Sequence, residues 1–239
     1  ATKVRNDGML KKRAAKALPA RKKKHVALNT KVQPRQRRAQ ATYDMILEVT
    51  GNLLEEVGVE RLSTNLVCER AGLTPPALYR YFPNKYALLK ELGAKLMKIQ
   101  DDAVFAHQKT MDGVGDVAEE TARNYRILKE VNAITRAFPG GGWVMRALRA
   151  VPTLSEVRIA SREDVADRVY KRARKTFPKA DRKDLRIGAT LMVEVMYTAT
   201  ELIMDQPEMD ADRVTAEISH MAARYLTSFG DGERKKSLA

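Results

Sequence analysis

The fold is decided by residues 63–85, which read STNLVCERAGLTPPALYRYFPNK. Ser63 suits the N-cap of a short helix over 64–71, because a serine hydroxyl can bond an amide that has no partner inside the helix. Gly72 allows a tight turn after that helix. Thr74 then begins a second short helix, whose two leading prolines are tolerated because the first amides of a helix lack intrahelical acceptors.

Two short helices joined by such a turn pack at a steep angle. Their contact can be buried by four apolar side chains, Leu66, Val67, Leu73 and Leu78. This geometry leaves the outer face of the second helix free to enter a major groove about 12 Å wide. The pattern therefore predicts a helix-turn-helix, although geometry alone also permits a plain three-helix core element.

The rest of the chain also reads as helices, with glycines and prolines at the breaks. An apolar stripe at three- and four-residue steps predicts a first helix from Pro34 to Gly58. Asn84 is placed to cap a long fourth helix. Further helices are expected near 114–137, 143–150, 153–177, 181–205 and 210–229. The loop at 140–143 (GGGW) could be a mobile gate or a corner between helices.

We therefore predict an all-α fold with two folded domains. The helix-turn-helix DNA-binding domain spans 34–83, and a larger helical ligand-binding and dimerisation domain spans 84–230. A basic, disordered tail over 1–33 precedes them, since its few large apolar groups cannot offset the entropy of ordering. A flexible C-terminal tail is expected over 231–239.

The charge is concentrated at one end. The formal net charge is +14, and residues 1–40 hold 14 Lys and Arg against one acid, so they carry +13 and the remainder +1. Such a segment is typical of a solvated arm or of one that binds a polyanion. An arm entering a DNA minor groove and a solvated arm, or one added by a start codon upstream of the true one, both stay open. No apolar core follows the bases, which argues against a secretory signal, and the Lys-rich, Ser-poor composition argues against a transit peptide.

The run 71–85, AGLTPPALYRYFPNK, closely resembles the DNA-binding domain of the TetR/AcrR regulator family. Its Leu-Tyr-x-x-Phe-x-Asn-Lys segment is among that family's most recognisable features, and the similarity covers about 35–97. The resemblance implies a homodimeric transcriptional regulator of the bacterial cytoplasm, nucleoid-associated when bound to DNA. It further implies a double-stranded DNA operator and a small-molecule effector as partners.

The resemblance also implies roles at the DNA. Phosphate contacts fall on Thr64, Tyr79 and Lys85. The positions that approach bases are Pro75, Pro76 and Ala77, and Thr74, at the start of the same helix, is also expected at the DNA. Arg80 is the one long donor on this helix and could reach a guanine or a phosphate, with Tyr81 beside it.

The helix at 181–205 is apolar nearly all round, so we expect it to be buried on more than one side. The resemblance implies that it meets its twin across a two-fold axis, with 210–229 completing a four-helix homodimer interface. Glu194 and Glu201 on this helix could bind a polar group of a ligand or serve as structural carboxylates.

A ligand cavity among the helices from 84 to 205 is likewise implied by the resemblance. Its candidate lining residues are aromatic or Met side chains: Phe105, Met111, Tyr125, Phe138, Trp143, Met145, Met196 and Tyr197. Side chains of this kind at helical spacing also read as ordinary core.

The sequence carries no signal of catalysis. His25, His107 and His220 lack metal-ligand spacing, and there is neither a nucleophile elbow nor a P-loop. Cys68, the single cysteine, reads as a small core residue, with a redox-sensing thiol as the alternative. We therefore expect no enzyme, cofactor or metal. No membrane partner is expected either, since no apolar run approaches the roughly 18 residues of a membrane span.

The leading hypothesis is a repressor of the TetR type that a small, mostly apolar effector releases from its operator. A second hypothesis is a nonspecific nucleoid-type DNA binder that uses the basic tail. A third is a helical small-molecule-binding protein or enzyme with a vestigial DNA motif.

Overall fold

The structure, a computed structural model, describes residues 26–31, 36–108 and 113–230. Within these ranges the chain forms nine α-helices, one short 3₁₀ turn and no strand. The helices are α1 (Arg37–Arg61), α2 (Thr64–Ala71), α3 (Pro75–Tyr79), α4 (Lys85–Gln108), α5 (Val117–Ala137), α6 (Gly141–Ala150), α7 (Ser155–Thr176), α8 (Arg182–Asp205) and α9 (Ala211–Thr227), and the 3₁₀ turn is Pro152–Leu154. The predicted all-α fold, with an N-terminal helix-turn-helix and a larger helical part, is confirmed.

Side-chain caps start α2 and α4 where the sequence predicts. Ser63 Oγ accepts a hydrogen bond from the Leu66 amide at 3.2 Å. Asn84 Oδ1 accepts from the amides of Tyr86 at 2.9 Å and Ala87 at 3.0 Å. Because these amides have no partner inside their helices, the caps fix the two helix starts that flank α3.

Gly58 interrupts α1 at the position where the sequence predicts the end of the first helix. Its backbone angles, φ 71° and ψ 176°, are not helical. One further turn nevertheless follows to Arg61, and the Leu62 amide returns to the Gly58 carbonyl at 3.2 Å. The predicted start at Pro34 lies outside the described residues.

The packing joins the two parts of the molecule through α4. Helix α1 packs against α2, α4 and α6, while α5 lies along α9 and α7 along α8. Helix α4 also packs against α5 and α7. A single helix therefore runs from the helix-turn-helix into the larger bundle, and one apolar core that includes the fully buried Phe82, Leu88 and Leu148 connects them.

Helix α8 keeps one apolar side exposed. Met192 and Met196 are buried, whereas Ile187, Leu191 and Val195 are 57%, 49% and 43% exposed. Among the described helices α8 is the one that is long and apolar enough to cross a membrane. However, 56% of its apolar window is buried inside the bundle, as in the core helix of a soluble protein.

Helix α1 meets the corner between α5 and α6 backbone to backbone. A Cβ atom on Gly51 would lie 2.4 Å from the Pro139 carbonyl oxygen, and one on Gly140 would lie 2.4 Å from the Gly51 carbonyl oxygen. Gly140 also has φ 68°, which favours glycine. Its amide donates to Glu55 Oε1 at 3.1 Å. Gly140 is therefore part of a packed corner between α5 and α6, and Gly141 already begins α6.

Residues 26–31 lie against the helix-turn-helix, although the sequence predicts disorder through residue 33. The Lys31 amide donates to the Tyr81 carbonyl at 2.9 Å, and Asn84 Nδ2 donates to the Ala27 carbonyl at 2.8 Å. These bonds offset part of the entropy of ordering the segment. The rest of the predicted tails, 1–25, 32–33 and 231–239, lies outside the described residues.

Candidate DNA-reading surface and ligand cavity

The outer face of α3 is exposed because the core holds its inner face. Leu78 is fully buried, and Gly72 ends α2 in the left-handed region at φ 63° and ψ 32°. Thr74 and the three predicted base-approaching residues lie at the surface, with Thr74, Pro75 and Pro76 exposed and Ala77 half-buried. Thr74 is the N-cap residue of α3 but makes no side-chain capping bond.

Two hydroxyls meet at the edge of this surface. Thr64 Oγ1, at the start of α2, lies 3.0 Å from the Tyr79 hydroxyl at the end of α3. Tyr79 is 38% exposed. Two groups that the sequence analysis assigns separately to phosphates are thus brought to one point on the surface.

Arg80 is the exposed cation of this surface. Its guanidinium forms no ion pair with another described residue, in contrast to Arg70, whose two terminal nitrogens bond Glu56 at 2.7 and 2.8 Å. The Arg80 guanidinium is therefore placed to bond a base edge or a phosphate.

Tyr81 is buried, which corrects the expectation that it lies at the bases. It is 6% exposed, and its ring meets Tyr43 edge-on at 5.9 Å between centroids. The cause is its spacing, because Leu78, Tyr81 and Phe82 stand at i, i+3 and i+4 and so share the core side of the chain. The Tyr81 side chain does not belong to the reading surface.

Lys85 begins α4, and its side chain reaches the C-terminal end of α1. Its Nζ donates to the carbonyl oxygens of Val59 and Leu62, both at 3.2 Å. A cation there satisfies carbonyls that the helix leaves open and suits the helix dipole. In the structure Lys85 therefore joins α1 to α4, and a phosphate contact would have to be made in addition to these bonds.

A narrow cavity lies between α4, α5, α7 and α8. Its lining comprises Val104, Gln108, Arg123, Asn124, Ile127, Leu128, Val131, Val165, Val169, Arg172, Met192, Val193, Met196, Tyr197 and Thr200. The volume open to the centre of a water molecule is about 40 Å³. A ligand larger than a few waters would have to move side chains apart.

Two of the eight predicted ligand contacts, Met196 and Tyr197, line this cavity. Met111 lies outside the described residues. The remaining five lie elsewhere: Phe105 under the Arg168 guanidinium at 3.6 Å, Tyr125 in a surface groove beside His220, Phe138 at the C-cap of α5, Trp143 against Gly58, and Met145 in the core.

The cavity has a polar end that sequence reasoning missed. Arg123 is 2% exposed, and its Nη1 donates to Glu120 Oε1 at 2.5 Å. Arg172 bonds the same carboxylate through both terminal nitrogens, at 2.9 and 3.0 Å. A signal was present in the sequence, because Glu120 and Arg123 occupy the stripe of α5 that also holds Ile127. A charge on a buried stripe usually has a partner or a function.

The two glutamates of α8 have structural partners. Arg162 is 5% exposed and bonds Glu194 through Nη1 and Glu201 Oε1 through Nη2, the latter at 2.7 Å. Arg149 reaches Glu201 Oε2 at 2.9 Å. These contacts favour the structural interpretation of both carboxylates.

Cys68 is a buried residue of α2. Burial raises the pKa of the Cys68 thiol, and the residue is 5% exposed, which disfavours a reactive thiolate. In the described part of the chain no group of three or more His, Cys, Asp or Glu side chains could hold a metal ion. His25 lies outside that part.

Two family sequence models match the chain in agreement with this architecture. The model described as bacterial regulatory proteins, tetR family, matches residues 46–92. The model described as the tetracyclin repressor-like C-terminal domain matches residues 122–229. Together they cover more than half of the chain and both of its parts.

Individual relatives agree with the family models. The tetracycline repressor protein class A from transposon 1721 of Escherichia coli is 38% identical over 68 residues, which are 28% of this chain and 27% of that protein. The chain thus spans about a quarter of the length of the curated relatives it matches.

Solved structures extend the likeness of fold. A tetR-family transcriptional regulator from Streptomyces coelicolor aligns at a TM-score of 0.63 and 14% identity, over 83% of this chain and 86% of that one. SmeT, solved as a SmeT-triclosan complex, aligns at a TM-score of 0.60 and 22% identity, over 77% of this chain and 91% of that one. With the helix-turn-helix, the helical second part and both family models in agreement, the chain belongs to the TetR family of bacterial regulators.

Proposed function

We propose that this protein is a ligand-responsive repressor that works as a homodimer in the cytoplasm, without enzymatic activity. The observation that carries the proposal is the exposed surface of α3 and its two ends, which presents Thr74, Arg80 and the Thr64–Tyr79 hydroxyl pair. Hydroxyls and a guanidinium in one surface patch can bond phosphates and base edges. A small, mostly apolar effector would bind in the cavity and release the operator, and the SmeT-triclosan complex of a relative supports a small-molecule effector.

The exposed apolar side of α8 supports the homodimer. Ile187, Leu191 and Val195 recur at four-residue steps along it, and Met221 of α9 beside it is 60% exposed. A groove between the two helices continues this side. Exposed apolar side chains gathered on two adjacent helices are typical of a four-helix interface between two copies.

A structural route links the cavity to the reading surface. The C-terminal end of α4 supplies Val104 and Gln108 to the cavity lining. Its N-terminal end holds Lys85, which bonds the end of α1. An effector that spreads the cavity would displace one end of a helix whose other end supports the helix-turn-helix. Release follows only when the effector binds the released state more tightly than the DNA-bound state.

Oligonucleotide selection with the purified protein tests the proposal. We expect recovery of a palindromic site whose half-sites lie about one helical turn, roughly 34 Å, apart. Competition at fixed salt should then favour this site over random DNA by about a thousandfold or more. A selectivity ratio near one would contradict the proposal.

Nonspecific DNA binding through the basic segment is the second candidate. The charge of +13 over residues 1–40 favours it, as does the anchoring of residues 26–31 beside α3 and α4. Deleting residues 1–25 keeps that anchor and removes most of the bases. Under this alternative the deletion abolishes most of the affinity and flattens its salt dependence, whereas a repressor keeps its selectivity for the selected site.

A further inference from the structure

The polar end of the cavity contains a guanidinium that is only partly bonded. Arg123 is 2% exposed, and its Nη1 is bonded to Glu120. Its Nε and Nη2 have no hydrogen-bond partner among the described residues. These two nitrogens are neighbouring donors along one edge of the guanidinium plane, the edge that bonds both oxygens of a carboxylate in a side-on pair.

Among the described residues, the charges at this end of the cavity do not balance. Glu120 is fully buried and is bonded by both Arg123 and Arg172. Two guanidinium groups against one carboxylate leave an excess positive charge. The other described lining residues are apolar or neutral, among them Asn124 and Thr200. A buried charge that is not fully compensated is strongly unfavourable. An anion that binds in the cavity would therefore be stabilised, because it compensates the excess positive charge.

We propose that the effector is an amphiphilic monoanion whose carboxylate bonds Nε and Nη2 of Arg123. Its apolar part lies along the apolar lining, which includes Ile127, Val131 and Met192. This inference rests on the proposed function and specifies the chemical class of the effector. It excludes neutral apolar molecules and cations, because neither compensates the excess charge.

The narrowness of the cavity fits the same ligand. About 40 Å³ is open to the centre of a water molecule, so the apolar part must displace side chains. Met192 and Met196 can yield, since unbranched methionine chains adapt their shape easily. The buried Thr200 hydroxyl, which has no partner among the described residues, would accept or donate one further bond to a polar group on the ligand.

Calorimetry on the full-length protein without DNA tests the class of ligand. The probes are hexanoate, octanoate, decanoate and dodecanoate, each paired with the alcohol of equal chain length. We expect at least one carboxylate to bind about tenfold or more tightly than its alcohol, as a charged hydrogen bond implies. Equal or tighter binding of the alcohols, or no binding of any carboxylate, overturns the inference.

Variants of Arg123 test the assignment to that residue. Arg123→Met should abolish the preference for carboxylates, and Arg123→Lys should retain part of it. The control is Arg136→Met, at an exposed position of the same helix, which should bind as the wild type does. Without ligand, Arg123→Met should melt at or above the wild-type temperature, because Glu120 keeps Arg172 and the excess charge is gone. Carboxylate binding by a folded Arg123→Met equal to that of the wild type overturns the assignment.

The inference and the proposed function can fail separately. If the alcohols release the protein from its selected operator and the carboxylates do not, the carboxylate inference is wrong and the repressor stands. If no selective operator exists but Arg123-dependent carboxylate binding is measured, the repressor is wrong and the cavity assignment stands.

Discussion

The Tyr79 hydroxyl lies 3.0 Å from Thr64 Oγ1, so the two helices of the helix-turn-helix present their hydroxyls at one point. The pair is at the surface, and each hydroxyl can turn towards an incoming phosphate oxygen without unfolding anything. In the free protein each satisfies the other, which holds both side chains in position.

This pair predicts coupled losses of DNA affinity. Tyr79→Phe should weaken binding to the selected operator by about fivefold, roughly one hydrogen bond, and Thr64→Val should act similarly. The double variant should lose less than the two losses combined, because both groups serve one contact. Fluorescence anisotropy measures the affinities, and Tyr125→Phe on α5 is the control. Melting temperatures should stay unchanged, and full additivity of the losses would contradict the shared contact.

Substitutions at the neighbouring residues Arg80 and Tyr81 are predicted to have different effects on the selectivity for the operator. Arg80→Ala should lower the selectivity for the operator over random DNA, by about tenfold if the guanidinium bonds a base. Tyr81→Phe should leave selectivity unchanged, since the side chain is buried against Tyr43. Competition binding at one salt concentration measures both. An equal loss of selectivity from the two substitutions would indicate that the Tyr81 side chain also contacts the DNA.

The apolar side of α8 predicts the oligomeric state. Leu191→Glu places a charge where we expect the partner helix and should convert the dimer to a monomer with much weaker operator binding, because both half-sites must be held together. Ile99→Glu is the matched control, since Ile99 is 40% exposed on α4. Analytical ultracentrifugation of both variants measures the oligomeric state. A dimeric Leu191→Glu would argue for a different interface.

Asp101 predicts a pH dependence of stability. Burial raises its pKa to about 6, although Ser161 and Tyr197 donate hydrogen bonds to it. The folded state therefore binds this proton more tightly than the unfolded chain, so stability from this group falls as the pH rises from about 4 to about 6. Asp101→Asn should remove that fall and raise the free energy of unfolding by about 1 kcal/mol above pH 7. The gain is this small because solvent screens a partly exposed group.

Urea unfolding at one protein concentration, at pH 5 and pH 8, measures the effect. The difference between Asp101→Asn and the wild type should grow with pH. Asp102→Asn, at the exposed neighbouring position paired with Lys98, should show no such growth. Parallel pH profiles for Asp101→Asn and the wild type would contradict the assignment.

Local signals allowed most of the fold to be predicted. Helix caps and turn glycines act within a few residues of their own position, so their effects can be predicted from the sequence. Ser63 and Asn84 accept bonds from nearby amides, and Gly72 adopts the left-handed turn angles. The family resemblance places Tyr81 at the DNA, whereas its spacing from the buried Leu78 indicates the buried side on which the structure has it. The order of residues 26–31 could not be predicted from the local sequence, because their partners lie 50 or more positions away.

The cavity could not be predicted from side-chain size. Large residues such as Phe105 and Trp143 fill space, whereas a cavity remains where smaller side chains from several helices fail to fill it. Which helix faces meet depends on packing across the bundle, and periodicity does not report that. The buried charge of Arg123 was the exception, because its position on the apolar stripe of α5 is visible in the sequence.

The backbone contact of Gly51 with Gly140 has a consequence for engineering chimeric regulators. The two glycines lie on opposite sides of the junction between α1 and the larger bundle; a side chain on Gly51 would meet Pro139, and one on Gly140 would meet the backbone of Gly51. A DNA-binding module transplanted from another regulator would have to bring a glycine at the position of Gly51, or the receiving bundle would be pushed away. Compatibility between modules can therefore be screened at one position before any chimera is built.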